Sequence, residues 1–277
     1  MKTLPAFRGY IFDLDGTVYR GDRLVEGAAE TIRGLRAAKR RIVFLSNKPI
    51  DTRKAYARKL GHLGIPTKPA DVINSSHVLS RYLGARCPHA RLFVIGERPL
   101  LAELRRAGFR ITTNGRQADW VVIAFDRTFD YAKLTGALHA VRRGARLIAT
   151  NPDRTCPVEG GEIPDCAAMI GAVEGATGRR VEVIVGKPSR ITLEVCLTQM
   201  GLRARDCLMV GDRLETDIRM GRNAKMATAL VLTGVTDRQA LRRSAIKPDF
   251  VLSDLRQLLS RGRASRRAIS RKDTMRR

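Results

Sequence analysis

"GYIFDLDGTVYRGD" (9–22) is the stretch from which the rest of the chain can be read. Tyr10, Ile11 and Phe12 form a short apolar run with no polar alternation. Such a run reads as a strand buried on both faces of a parallel sheet. The run ends in Asp13, and Asp15 follows one residue later. On an extended segment residues i and i+2 face the same way, so the two carboxylates are expected to project together. Gly16 and Thr17 then suit a sharp turn with backbone N–H groups free for an anion.

The same pattern recurs outward from this stretch. "IVFLSN" (42–47), "VEVIVG" (181–186), "CLMVGD" (207–212) and "TALVLT" (228–233) are further apolar runs with polar ends, and 26–39, 51–63, 189–200 and 215–224 carry helical periodicity between them. Alternating strands and helices predict an α/β fold, a Rossmann-like, doubly wound parallel sheet with right-handed crossovers. From about 80 to 181 the pattern repeats by itself in "RLFVIG" (91–96), "DWVVIAF" (119–125) and "RLIATN" (146–151). A hundred residues is too long for a loop, so 80–181 is expected to be an inserted α/β domain, with 1–79 and 182–260 forming the core.

Ligands of open α/β sheets bind beyond the carboxyl ends of the strands, so the polar strand ends are expected to converge. They supply Asp13 and Asp15, Ser46 and Asn47, Lys187, and Asp212 with Asp217 in "GDRLETD". Carboxylates this crowded repel one another, and either a held proton or a bound cation relieves them. Hard oxygen ligands with few histidines point to Mg²⁺, which commonly bridges to a substrate phosphate. Carboxylates, a hydroxyl, a lysine and Mg²⁺ make up a phosphoryl-transfer set. One Asp can attack phosphorus, and the other can move protons to the leaving oxygen and from water. Each piece alone has a plainer reading: a turn, a helix cap, a surface lysine, or acids favoured by a helix dipole. Their shared position at strand ends favours the functional one.

"DLDGT", "FLSN", "GKPS" and "GDRLETD" resemble, in order, the four motifs of the haloacid dehalogenase-like phosphatases, over about residues 7 to 236. The inserted domain, with "ATNPDRTCPVEGG" (149–161), resembles the α/β cap of their NagD-like subgroup. The resemblance implies a Mg²⁺-dependent phosphomonoesterase that works through an aspartyl-phosphate. Asp13 would be the nucleophile and Asp15 the general acid/base. Mg²⁺ would lie on Asp13, the carbonyl of Asp15 and Asp212, with Asp217 supporting it. Ser46, with Asn47 beside it, and Lys187 would hold the phosphoryl group, and Asn151 and Asp153 of the cap would help choose the substrate. That substrate would be a small phosphorylated metabolite: a sugar phosphate first, with p-nitrophenyl phosphate, phosphoglycolate, pyridoxal phosphate or a nucleoside monophosphate as alternatives. Two departures stand out, "SNKP", which brings Lys48 close to the second motif, and "PDCAAM" (164–169) where many relatives have a glycine-rich turn.

Composition limits the alternatives. Hydrophobic residues make up 44% of 277, ordinary for a globular chain, but the net charge is +25, from 41 Arg and 11 Lys against 27 acids. The excess suits either an Arg-heavy solvated surface, a field attracting anionic substrates, or a nucleic-acid-binding protein with an incidental phosphatase site. Aromatics at 5% leave little for stacking single strands, and nucleic acid is the less favoured partner. "IVGKPS" is no Walker A loop, because that pattern needs Gly at 181 and Ser or Thr at 188, where the chain has Val181 and Pro188. No apolar run approaches the roughly 20 residues of a membrane helix, and no signal peptide is visible. Five cysteines without CxxC fit reduced thiols in a cytoplasm. The basic stretch 261–277 is expected to be a disordered tail, and edge strands of the inserted domain leave a homodimer open.

Overall fold

The computed structural model describes residues 4–158 and 160–259; the basic stretch 261–277 lies outside the described residues. The chain divides into two compact units. One comprises the residues up to Phe44, Gly61–Ile65 and those from Met200 on; the other comprises Leu45–Leu60 and Pro66–Gln199.

In the first unit the apolar runs become the strands Gly9–Asp13, Cys207–Gly211 and Ala227–Val231, joined by Phe250–Leu252. Each is paired parallel to the next, with Gly9 opposite Cys207, Leu208 opposite Ala227 and Ala229 opposite Phe250. Gly9–Asp13 has Cys207–Gly211 on one side and the strand Arg41–Ser46 on the other. Chain order therefore reverses at Gly9–Asp13, a topological switch point of the kind where α/β sheets bind ligands. Gly9–Asp13 and Cys207–Gly211 are buried at every position, as a central strand covered by helices requires. Phe7, Tyr10, Phe12 and Phe44 pack ring against ring at centroid distances of 6.2, 6.1 and 6.4 Å. Helix Ala28–Ala37 buries Ile32 and Leu35, and Gly34 leaves room for the Leu259 side chain, which a Cβ there would meet at 2.7 Å.

The second unit holds a parallel sheet ordered Val183–Ile184, Arg146–Ala149, Trp120–Ile123, Arg91–Ile95, Arg110–Ile111. Helices Arg98–Arg106, Tyr131–Arg142 and Cys166–Thr177 belong to it. Its core gathers Phe93, Ile95, Val121, Ile123, Leu147, Ala137, Ala140 and Val173. Asp130 caps helix Tyr131–Arg142 by accepting from the Lys133 N–H at 2.8 Å. A short antiparallel hairpin joins Thr155–Val158 to Gly161–Pro164. One strand differs from expectation. The run 181–186 reads as a buried strand of the first sheet, but only Val183–Ile184 is extended, half-buried, at the edge of the second sheet beside Ile148 and Ala149. A short β-rich run specifies a strand; it carries no information about which sheet receives it.

Candidate active site

The strand Gly9–Asp13 stops at the first aspartate, which is 7% exposed. The Leu14 carbonyl then accepts the N–H groups of Thr17, Val18 and Tyr19, turning the chain at once. Gly16 takes φ +82°, where L side chains are disfavoured, and donates its N–H to the Tyr19 carbonyl at 2.8 Å. The chain bends at Leu14, and Asp15 forms an isolated parallel bridge with Tyr19. Asp15 is half-buried on the turn.

Asp13 meets acids from other elements. Asp212 immediately follows the adjacent strand Cys207–Gly211, and Asp217 sits in a π-helical turn, Leu214–Ile218. One carboxylate oxygen from each of Asp13, Asp212 and Asp217 lies within 4.8 Å of the other two, and all three residues are buried. The backbone shapes this cluster closely. Asp212 Oδ2 accepts the Val235 N–H at 2.7 Å, and Asp217 Oδ2 accepts the Arg213 N–H at 3.1 Å. A Cβ on Gly234 would lie 1.9 Å from Asp212 Oδ2, one on Gly16 would lie 2.5 Å from it, and one on Gly211 would lie 2.3 Å from Asp217 Cγ. Three buried carboxylates, no histidine and glycine on three sides make an all-oxygen donor set suited to a hard divalent cation.

The second unit gathers a separate set. Ser46 ends the strand Arg41–Ser46, and its Oγ accepts the Lys48 N–H at 3.2 Å. Asn47 is buried, and its Oδ1 accepts the Lys187 N–H at 2.7 Å. Its Nδ2 donates to the Lys187 carbonyl at 3.2 Å and to Asp153 Oδ2 at 3.0 Å. Asn151 Nδ2 donates to the Asn47 carbonyl at 3.2 Å, and Asn151 Oδ1 accepts the Asp153 N–H at 2.9 Å. Lys187 is only 3% exposed. Five of the residues picked out in the sequence, Ser46, Asn47, Asn151, Asp153 and Lys187, thus fall within this unit, and Asp13, Asp15, Asp212 and Asp217 fall within the other. Sequence reading overlooked Ser75, whose Oγ donates to the Asn47 carbonyl at 2.5 Å. It also overlooked Gly234, and a glycine one residue past a Thr carries no signal of its own.

Comparison with known proteins agrees with the motifs. A family model described as haloacid dehalogenase-like hydrolase matches residues 10–110, and a second, HAD-hydrolase-like, matches 184–258. The chain is 42% identical to the sugar-phosphatase AraL of Bacillus subtilis over 250 residues, covering 90% of this chain and 91% of that protein. A p-nitrophenyl phosphatase from Archaeoglobus fulgidus superposes with a TM-score of 0.88 at 34% identity, over 92% of this chain and 99% of that one. NagD from E. coli K-12 superposes with a TM-score of 0.82 at 30% identity, over 91% and 98%. With the motifs and the fold in agreement and the relatives matching about nine-tenths of its length, the chain belongs to the haloacid dehalogenase-like hydrolases, among their NagD-like phosphatases.

Proposed function

We propose that the protein is a Mg²⁺-dependent phosphomonoesterase acting on small phosphorylated metabolites through Asp13. The observation that carries this reading is the cluster of three buried carboxylates at the switch point of the first sheet. Asp13, the carbonyl of Asp15 and Asp212 would hold Mg²⁺, with Asp217 fixing the metal's surroundings through its bond to the Arg213 N–H. The ion, when bound, neutralises charge on the phosphoryl oxygens. An Asp13 oxygen attacks phosphorus and the ester oxygen leaves, taking its proton from Asp15. Asp15 then removes a proton from the water that cleaves the aspartyl-phosphate, releasing phosphate and free Asp13. Ser46 and Lys187 would stabilise the negative equatorial oxygens in this scheme, as their motif positions imply. Residues 80–181 would act as the cap that selects substrate.

Sugar phosphates are the proposed substrate class, supported by the names of relatives: the sugar phosphatase of Bacillus subtilis and the acid sugar phosphatase of Staphylococcus epidermidis. The test is hydrolysis of p-nitrophenyl phosphate with Mg²⁺ or EDTA, followed by a metabolite panel. Turnover is expected to require Mg²⁺ and to fall at least about a thousandfold in Asp13→Asn. Equal turnover in the mutant would overturn the mechanism.

A further inference from the structure

The Asn47 side chain has no N–H left for a phosphoryl group. A carboxamide owns two N–H donors and one carbonyl oxygen. Here Nδ2 donates to the Lys187 carbonyl and to Asp153 Oδ2, while Oδ1 accepts the Lys187 N–H. The need of that N–H for an acceptor fixes which way the carboxamide faces. Space closes the remaining side, since a Cβ on Gly186 would lie 2.7 Å from Asn47 Oδ1 and 2.4 Å from the Thr150 carbonyl.

We propose that Asn47 is a positioning residue that makes the placement of Lys187 depend on Asp153. The backbone shows how. Before and after Val183–Ile184, N–H groups go to carbonyls of the segment that holds Arg146–Ala149: Glu182 to Leu147 at 3.1 Å, Val185 to Ala149 at 3.0 Å and Gly186 to Thr150 at 2.8 Å. The next N–H, that of Lys187, goes to the Asn47 side chain and not to that segment. Asn47 therefore grips both backbone groups of Lys187, as a paired strand would. Its own carbonyl is held by Ser75 and Asn151. Asp153 completes the grip from its far side and is itself fixed, with its N–H on Asn151 Oδ1 and its carbonyl accepting the Ala167 N–H at 2.9 Å. Asp153 then acts on Lys187 as a hydrogen-bond acceptor for Asn47, and the cap segment that contains it sets how Lys187 is aimed.

The kinetic meaning rests on the phosphatase reading; the structural coupling does not. We would measure exchange of the Lys187 amide by NMR in the metal-free protein, and p-nitrophenyl phosphate kinetics with Mg²⁺, for Asn47→Ala, Asp153→Ala, Asp153→Asn and the double alanine variant. Exchange at Lys187 is expected to rise about tenfold or more in Asn47→Ala and by a smaller factor in Asp153→Ala. Asp153→Asn, which keeps an acceptor oxygen, should recover most of the Asp153→Ala loss in both exchange and kcat. The double variant should be no worse than Asn47→Ala alone. Three results would overturn the proposal: unchanged Lys187 exchange in Asp153→Ala, Asp153→Asn as impaired as Asp153→Ala, or a rise confined to KM in Asn47→Ala. Should the wild type show no turnover, the phosphatase reading fails by itself, and the exchange measurements still decide the coupling.

Discussion

Gly234 stands where no side chain fits. Its Cβ would lie 1.9 Å from Asp212 Oδ2, the oxygen that also accepts the Val235 N–H. Gly234→Ala must displace either the loop backbone or that carboxylate. We expect the Mg²⁺ concentration for half-maximal turnover to rise about tenfold, with a stability loss of about 1–3 kcal/mol from overpacking. A Mg²⁺ titration and a thermal melt check the two separately. The cysteines give a second residue-scale prediction. Burial pushes the Cys166 thiol up to about 12 and the Cys207 thiol up to about 11. A raised thiol pKa means less thiolate at a given pH, so at pH 8 only about one Cys166 in 10⁴ would be ionised even if reached. Cys87 is half-buried, while the other four are buried. Native protein at pH 8 should therefore release no more than one equivalent with a thiol reagent, and denatured protein all five.

Among the elements, the start of helix Arg98–Arg106 and the loop after Trp120–Ile123 are bridged by an ion pair. Arg127 Nε and Nη2 reach Glu97 Oε1 and Oε2 at 2.7 and 2.8 Å, and the Arg127 N–H adds a third bond to Oε1 at 3.1 Å. The Arg127 side-chain hydrogen bond holds the Glu97 carboxyl below its ordinary value of 4.5. Arg127 is 60% exposed, so solvent screens the pair and its worth is about 1 kcal/mol at most. A lowered folded-state pKa means stability that is present above the unfolded value and lost as pH falls through the folded one. Glu97→Gln should thus lower Tm by at most about 2 °C at pH 7, and the difference should shrink below about pH 4.5. The π-helical turn Leu214–Ile218 matters at the same scale. It delivers Asp217 to the acidic cluster, whereas residues 215–224 alone show only an ordinary helical period. An extra residue per turn leaves no periodic trace over five residues.

Across the whole molecule the charge of +25 has two separable consequences. A positive field that attracts anionic substrates raises association rates and is screened by salt, with a Debye length near 10 Å at 0.1 M. We expect kcat/KM for a phosphorylated metabolite to fall severalfold between about 0.02 and 0.5 M ionic strength, with kcat nearly constant. A flat profile would remove steering from the account. If the chain bound nucleic acid through residues 261–277, affinity for random duplex would be steeply salt-dependent and lost on their deletion. We expect no such binding at physiological salt, as a mobility-shift assay with both chains would show.

The strand ends at Asp13, Ser46 and Asp212 were legible in the sequence because parallel, doubly buried strands demand unbroken apolar runs, and the first polar residue after each run marks its tip. The motif order likewise identified the family, since the chemistry of phosphoryl transfer restricts which residue types can stand at those tips. What the run could not encode was its company. Whether 181–186 joined one sheet or the other depended on competition among strands far apart in the chain, and its two extended residues took the edge beside Ile148 and Ala149. The partners of Asn47 were equally hidden, because Asp153 and Lys187 lie 106 and 140 residues away and a carboxamide suits a turn, a ligand or a clamp. Apolar periodicity is a local property and survives in the sequence alone; hydrogen-bond partnership is set by where the folded backbone brings distant groups together, so tertiary structure alone decides it.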